Sequence, residues 1–160
     1  MYNILEGIKR ELSDTCGRLL LKNEPDNVWT KEILSKLVEI GNQHKYVTCA
    51  SVKNATNGEW MYDVSWLKYS SQSQILESVE LVAESEWGNE QRIMEDYEKL
   101  IQSKAKYKIM IMQCKGLNHF EIIRIKLKES ACLFRGVTEE SYLLAAFIKD
   151  KFYYDEFIVV

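Results

Sequence analysis

Residues 79–114 read VELVAESEWGNEQRIMEDYEKLIQSKAKYKIMIMQC, and this stretch decides the fold. Val79 to Trp87 alternates as a strand does, placing Glu84 and Glu86 on one face. Gly88-Asn89 breaks it. Glu90 to Ala105 then carries Ile93, Tyr97, Leu100 and Ile101 at helical spacing. Tyr107 to Cys114 is a nearly continuous apolar run, which fits a central strand buried on both faces. Upstream, Glu59 to Leu67 (EWMYDVSWL) predicts another strand. Trp60, Tyr62, Val64 and Trp66 point one way, and Met61, Asp63, Ser65 and Leu67 the other, so Asp63 interrupts a mostly apolar segment. Asn54 to Gly58 is a turn, Tyr46 to Val52 a short strand, and Ser70 to Gln74 a loop.

The flanks complete the order. Asn3 to Leu21 begins with helical spacing at Ile4, Leu5, Ile8 and Leu12, and 23–27 is a proline-centred turn. Trp29 to Gln43 is a helix with Trp29, Ile33, Leu37 and Ile40 on its stripe. Residues 118–134 predict a further helix ended by Gly136, and Ser141 to Ile148 and Phe152 to Val160 are strands. Three consecutive strands imply an antiparallel meander, and the later strand–helix–strand units imply parallel additions. The expected class is α/β: an αβββαβ core with a mixed central sheet flanked by helices on both faces. At 160 residues the chain predicts one domain, 1–160, with 1–27 as a helical extension and 28–160 as the α/β core.

Composition narrows the function. Apolar residues at 46% with one proline and seven glycines exclude a disordered tail or a collagen-like repeat. The net charge of −3 excludes a whole-chain basic footprint, so nucleic acid would have to meet a local patch or a partner protein. Lys104, Lys106 and Lys108, with Lys115, form the best local basic cluster; a solvated helix end and strand entry is the competing reading. The N-terminus MYNILEGIKRELSD lacks an apolar signal core, no run is long enough for a membrane helix, and cytoplasmic location is expected. Cys16, Cys49, Cys114 and Cys132 form no C-x-x-C pair and read as buried small hydrophobes in a reducing compartment. His44 and His119 lack ligand spacing.

Asp63, Glu84 and Glu86 carry the candidate chemistry. If their strands pair, three carboxylates converge at a sheet edge, where they repel one another and resist burial. A divalent cation relieves that repulsion, and Mg²⁺ prefers oxygen ligands, often one or two carboxylates with waters and substrate phosphates. A further carboxylate can activate water, which is the chemistry of phosphodiester hydrolysis.

Asp63 within WMYDVSWL, Glu84-Ser85-Glu86 within LVAESEW, and the following helix with IMEDYEKLI resemble the PD-(D/E)XK superfamily of restriction-endonuclease-like nucleases. The resemblance spans residues 29–114. It implies that Asp63 and Glu84 ligate Mg²⁺ or Mn²⁺, that the Ser85 carbonyl can join them, and that Glu86 positions or activates water. It also implies DNA as substrate, with a homodimer or a partner protein left open. Two positions depart from the pattern: Tyr62 stands where the motif has proline, and Glu86 stands where it has lysine. Lys99, about 15 Å along its helix from the start, is a substitute for that lysine from a neighbouring element, and Glu39, on the helix before the first strand, is an extra acid. The alternatives are a catalytically inactive binding module of the same fold and a small acidic protein–protein interaction protein of the immunity type. Trp60, Trp66 and Trp87 can stack on bases or serve as core aromatics.

Overall fold

The chain alternates between faces of a sheet and stripes of helices, and each buries its apolar side against the other. A computed structural model describes residues 3–134 and 139–160. Two helices come first, α1 (Ile4–Lys22) and α2 (Asp26–Gln43). Three strands follow, β1 (Val47–Ala50), β2 (Val64–Tyr69) and β3 (Leu76–Glu86). Then come α3 (Glu90–Gln102), β4 (Tyr107–Gln113), α4 (Leu117–Leu133), β5 (Glu140–Ile148) and β6 (Lys151–Val159). The six strands form one sheet in sequence order. β1, β2 and β3 pair antiparallel, β3–β4 and β4–β5 pair parallel, and β6 returns antiparallel. The expected meander with parallel additions is therefore the arrangement adopted. Gly136, the expected end of α4, lies outside the described residues.

The pleat divides the core. Leu81, Ala83, Ile109, Ile111, Leu143 and Ala145 pack under α1 and α2. Val82, Met110, Met112, Tyr142, Leu144 and Ala146 pack under α3 and α4. β4 thus buries alternate side chains in both layers. α1 contributes Leu5, Ile8, Leu12, Cys16 and Leu19 to the same core as α2. Asn3 caps its first turn through Leu5 N–H at 3.0 Å. Three cysteines are buried, and Cys132 on α4 is exposed. No helix among the described residues is long and apolar enough to cross a membrane.

Several boundaries move from their expected places: α2 starts at Asp26 rather than Trp29, α3 ends at Gln102 rather than Ala105, and β1 is trimmed to Val47–Ala50. Residues 59–63 are not strand: β1 stops at Ala50, so the chain before Val64 has no β1 neighbour to pair with. β3 starts three residues early, at Leu76, because Ser70 N–H bonds Ile75 O at 2.9 Å and the hairpin pairs down to Tyr69.

Two packing details generate tests. Gly41 lies against Trp66, which is fully buried and donates Nε1–H to Leu37 O at 3.1 Å. A Cβ on Gly41 would stand 2.6 Å from that Nε1 and 2.7 Å from Thr48 Cγ2. Gly41→Ala should cost about 1–3 kcal/mol through overpacking, partly offset by about 1 kcal/mol of helix propensity, read as a lower urea midpoint. Lys108, expected in an exposed basic cluster, is fully buried, with Nζ 2.5 Å from Glu140 Oε1. Tyr142 donates its hydroxyl to Glu140 Oε2 at 2.6 Å. Burial pulls the Lys108 ammonium below its ordinary range against the pull of Glu140. Glu140→Gln should destabilise by about 3 kcal/mol by stranding a buried charge, and adding Lys108→Met should recover most of it in the same unfolding measurement.

Candidate functional site

β3 runs up to Glu86 and α3 returns down along it, so the candidate residues gather where the parallel strands end. Asp63 sits immediately before β2, one step beyond the last β2–β3 pair, Val64 with Ala83. Its Oδ2 accepts Ser85 N–H at 2.8 Å and the Ser85 hydroxyl at 2.8 Å. The carboxylate replaces the backbone acceptor that β2 no longer supplies. Glu84 alternates onto the face covered by α3, with Val82.

Glu84 is almost wholly buried, at 3% exposure. Lys99 Nζ stands 3.0 Å from its Oε1 and 2.7 Å from Asp96 Oδ1. Tyr62 donates its hydroxyl to the Lys99 carbonyl at 3.3 Å, tying the segment before Asp63 to α3. Burial raises the Glu84 pKa from 4.5 to about 7; Lys99 opposes the rise, and the charges of Asp63 and Asp96 add to it. Burial lowers Lys99, but its bonds to Asp96 and Glu84 outweigh that and hold it above its ordinary value.

Lys99 is thus closer to the carboxylates than its position along α3 suggests. Distance from the helix start is the wrong measure, because Glu84 itself lies back from the top of β3 and the helix descends beside it. Glu95, one turn before Lys99, accepts instead from Gln91 at 2.9 Å, and Lys99 turns to Asp96 and Glu84. Asp96 and the Ser85 hydroxyl were not singled out from sequence. The signal for Asp96 was its i,i+3 spacing to Lys99.

The remaining expectations separate. Glu86 shares the face of Glu84, but its Oε1 accepts Gly88 N–H at 2.6 Å and caps its own turn. Glu39 is exposed, bonded to Lys36 at 2.6 Å, on the helical layer opposite Glu84. The expected basic cluster is dispersed: Lys104 and Lys106 lie before β4, Lys108 is buried, and Lys115 lies past the far end of the strand. Nine residues of extended chain between Lys106 and Lys115 span roughly 30 Å. Trp66 belongs to the core, Trp87 donates Nε1–H to Thr30 Oγ1 at 2.9 Å, and Trp60 is half-exposed at 47%.

Among the described residues no group of three or more His, Cys, Asp or Glu could hold a metal ion, so the expected convergence of Asp63, Glu84 and Glu86 is not formed; Glu86 turns to Gly88 N–H. Asp63 and Glu84 supply two carboxylates, and Oδ1 of Asp63 is outside the Ser85 hydrogen bonds. That donor set fits a hard cation taking one or two carboxylates with water and phosphate oxygens. No protein-family model, curated protein or solved structure matches the chain.

The raised Glu84 pKa has a sign that can be checked. An acid with a higher pKa folded than unfolded holds its proton better in the native state. Stability from that source is complete below pH 4.5 and is lost as pH rises through about 7. Glu84→Gln should therefore be more stable than the unsubstituted protein at pH 8, by on the order of 2–3 kcal/mol. The difference should vanish near pH 4.5 in paired denaturation curves.

Proposed function

We propose that this protein is a metal-dependent phosphodiesterase of restriction-endonuclease-like architecture that cleaves nucleic acid, with DNA as the substrate. The observation that carries the proposal is the contact of Lys99 on α3 with the buried Glu84 of β3, beside Asp63, which is bonded to the next residue, Ser85. Strand polarity supports it: a three-strand meander followed, across α3, by a parallel fourth strand.

When bound between Asp63 and Glu84, Mg²⁺ or Mn²⁺ would offset the charge of a phosphodiester and lower the pKa of water. The chain's residues do the rest. Ser85 orients Asp63 through two hydrogen bonds. Asp96 holds Lys99 against Glu84, and the half-exposed ammonium would offset charge that phosphate oxygens gain in the transition state. Lys99 takes the part that the motif assigns to the residue at Glu86. Glu86, at the rim of the same face, can position water once it releases Gly88 N–H.

Supercoiled plasmid with Mg²⁺ or Mn²⁺ is the test. Nicking or linearisation is expected, with a loss of about 10²–10³-fold in Asp63→Asn, Glu84→Gln or Lys99→Met. Identical inactivity of the protein and its Glu84→Ala variant, with no calorimetric metal binding, overturns the proposal. The burial of Glu84 and its bond to Lys99 favour a second reading, a nuclease-fold binding module without hydrolysis. That module would bind nucleic acid and leave the plasmid intact.

A further inference from the structure

We propose that four exposed lysines on the same sheet edge, Lys31, Lys53, Lys115 and Lys149, form a two-sided track for a nucleic-acid backbone, with Asp63 and Glu84 between its halves. The surface deepens the phosphodiesterase reading and rests on it for the orientation of the bound strand. Strand polarity places these residues together. Ala50 ends β1, Val64 begins β2, Gln113 ends β4 and Ile148 ends β5, all at one edge.

Lys53 follows β1 and Lys31 lies in the first turns of α2; both line one cleft of about 500 Å³ with Ser35 and Gly58. Lys115 follows β4 and lines a second cleft, of about 450 Å³, with Trp87, Gln113 and His119. Lys149, in the β5–β6 turn, lines a third that shares Trp87 and Gln113 with the second. Trp87 and Gln113 thus form a common wall between the second and third clefts. Within the second, Lys115 N–H donates to His119 Nδ1 at 3.1 Å, which fixes the ring beside it.

None of the four lysines has a carboxylate partner among the described residues; Lys22, Lys45, Lys104, Lys106, Lys128 and Lys151 lack one as well, so what sets the four apart is their place at this edge. Two acids line the clefts, Asp26 and Glu90, of which Lys126 holds Glu90; Glu86, bonded to Gly88 N–H, stands at the same rim. From β1 to β5 the edge covers four strand spacings, roughly 19 Å. A DNA strand advances about 3.4 Å per nucleotide, so the edge faces about five to six nucleotides. Cations on both flanks of a carboxylate pair suit a continuous polyanion better than a small anion, which would settle on one side. A chain of net charge −3 can bind it because affinity follows local neutralisation of phosphates, not the total.

The test uses the full chain in chelator, so that binding is read without cleavage, with a 20-base-pair duplex over a salt series. Lys31→Gln/Lys53→Gln and Lys115→Gln/Lys149→Gln should each weaken binding at least tenfold and reduce the log–log salt slope by about 2. Lys104→Gln/Lys106→Gln, at the opposite end of the sheet, should change neither. Equal loss in all three pairs, loss in the control pair alone, or no duplex binding overturns the track. Lysine-dependent binding with an intact plasmid in Mg²⁺ leaves the track standing and removes the hydrolytic reading. Cleavage indifferent to both edge pairs does the reverse.

Discussion

Burying both faces of β4 is the constraint on which the rest of the structure depends. Ile109 and Ile111 point into one core and Met110 and Met112 into the other. A strand so enclosed needs a helical layer on each side. α3 and α4 supply one layer by crossing between parallel strands, and α1 and α2 supply the other. Parallel pairing of β3, β4 and β5 then brings their C-terminal ends to one edge. The antiparallel β2 begins at that edge and carries Asp63 to it. Ligands of open α/β sheets sit outside the carboxyl ends of parallel strands for the same reason: the chain there leaves the sheet and its polar groups are free.

Asp63 and Ser85 show how the edge is finished. β2 ends before β3 does, which would leave the Ser85 N–H without a ladder acceptor. The Asp63 carboxylate takes that N–H and the Ser85 hydroxyl together. One side chain thereby ends the pairing, satisfies the backbone and brings a negative charge beside Glu84. The Tyr62–Lys99 bond closes the same segment from the helical side.

The element order and strand polarity were legible in the sequence because period-two and period-3.6 patterns survive in the apolar residues alone. The carboxylates were legible as well, since Asp63 and Glu84 interrupt runs that otherwise stay apolar. Three things were not. The start of β2 depends on where β1 stops, a pairing fact with no local signal in EWMYD. The fate of Glu86 depends on a turn closing on Gly88 N–H, a contact between residues two apart that alternation does not see. Lys99 and Lys108 were misjudged in opposite directions. The first needed the antiparallel return of α3 over β3; the second needed Glu140, thirty-two positions away and on the next strand. Charges in sequence name their partners only after the topology is known.

Those two lysines also separate a closed buried pair from an open one. Lys108 and Glu140 are enclosed together, with Tyr142 completing the contact. A pair that is closed on all sides costs desolvation and offers nothing to a ligand, and a well-packed apolar pair often serves the fold as well. Glu84 bears a similar cost, since burial carries its pKa to about 7. Its partner, however, remains 49% exposed, so the pair opens to solvent at the edge where Asp63 stands. Leucine at position 84 would suit the apolar layer of Val82, Met110 and Met112 better than a carboxylate whose charge is disfavoured. A costly, strongly perturbed carboxylate that faces an open edge with a cation and a second carboxylate is the physical ground on which the proposal chooses this site. The distinction rests on access rather than on burial: Lys108–Glu140 is a buried pair inside the protein, while Glu84–Lys99 is a buried pair at its door.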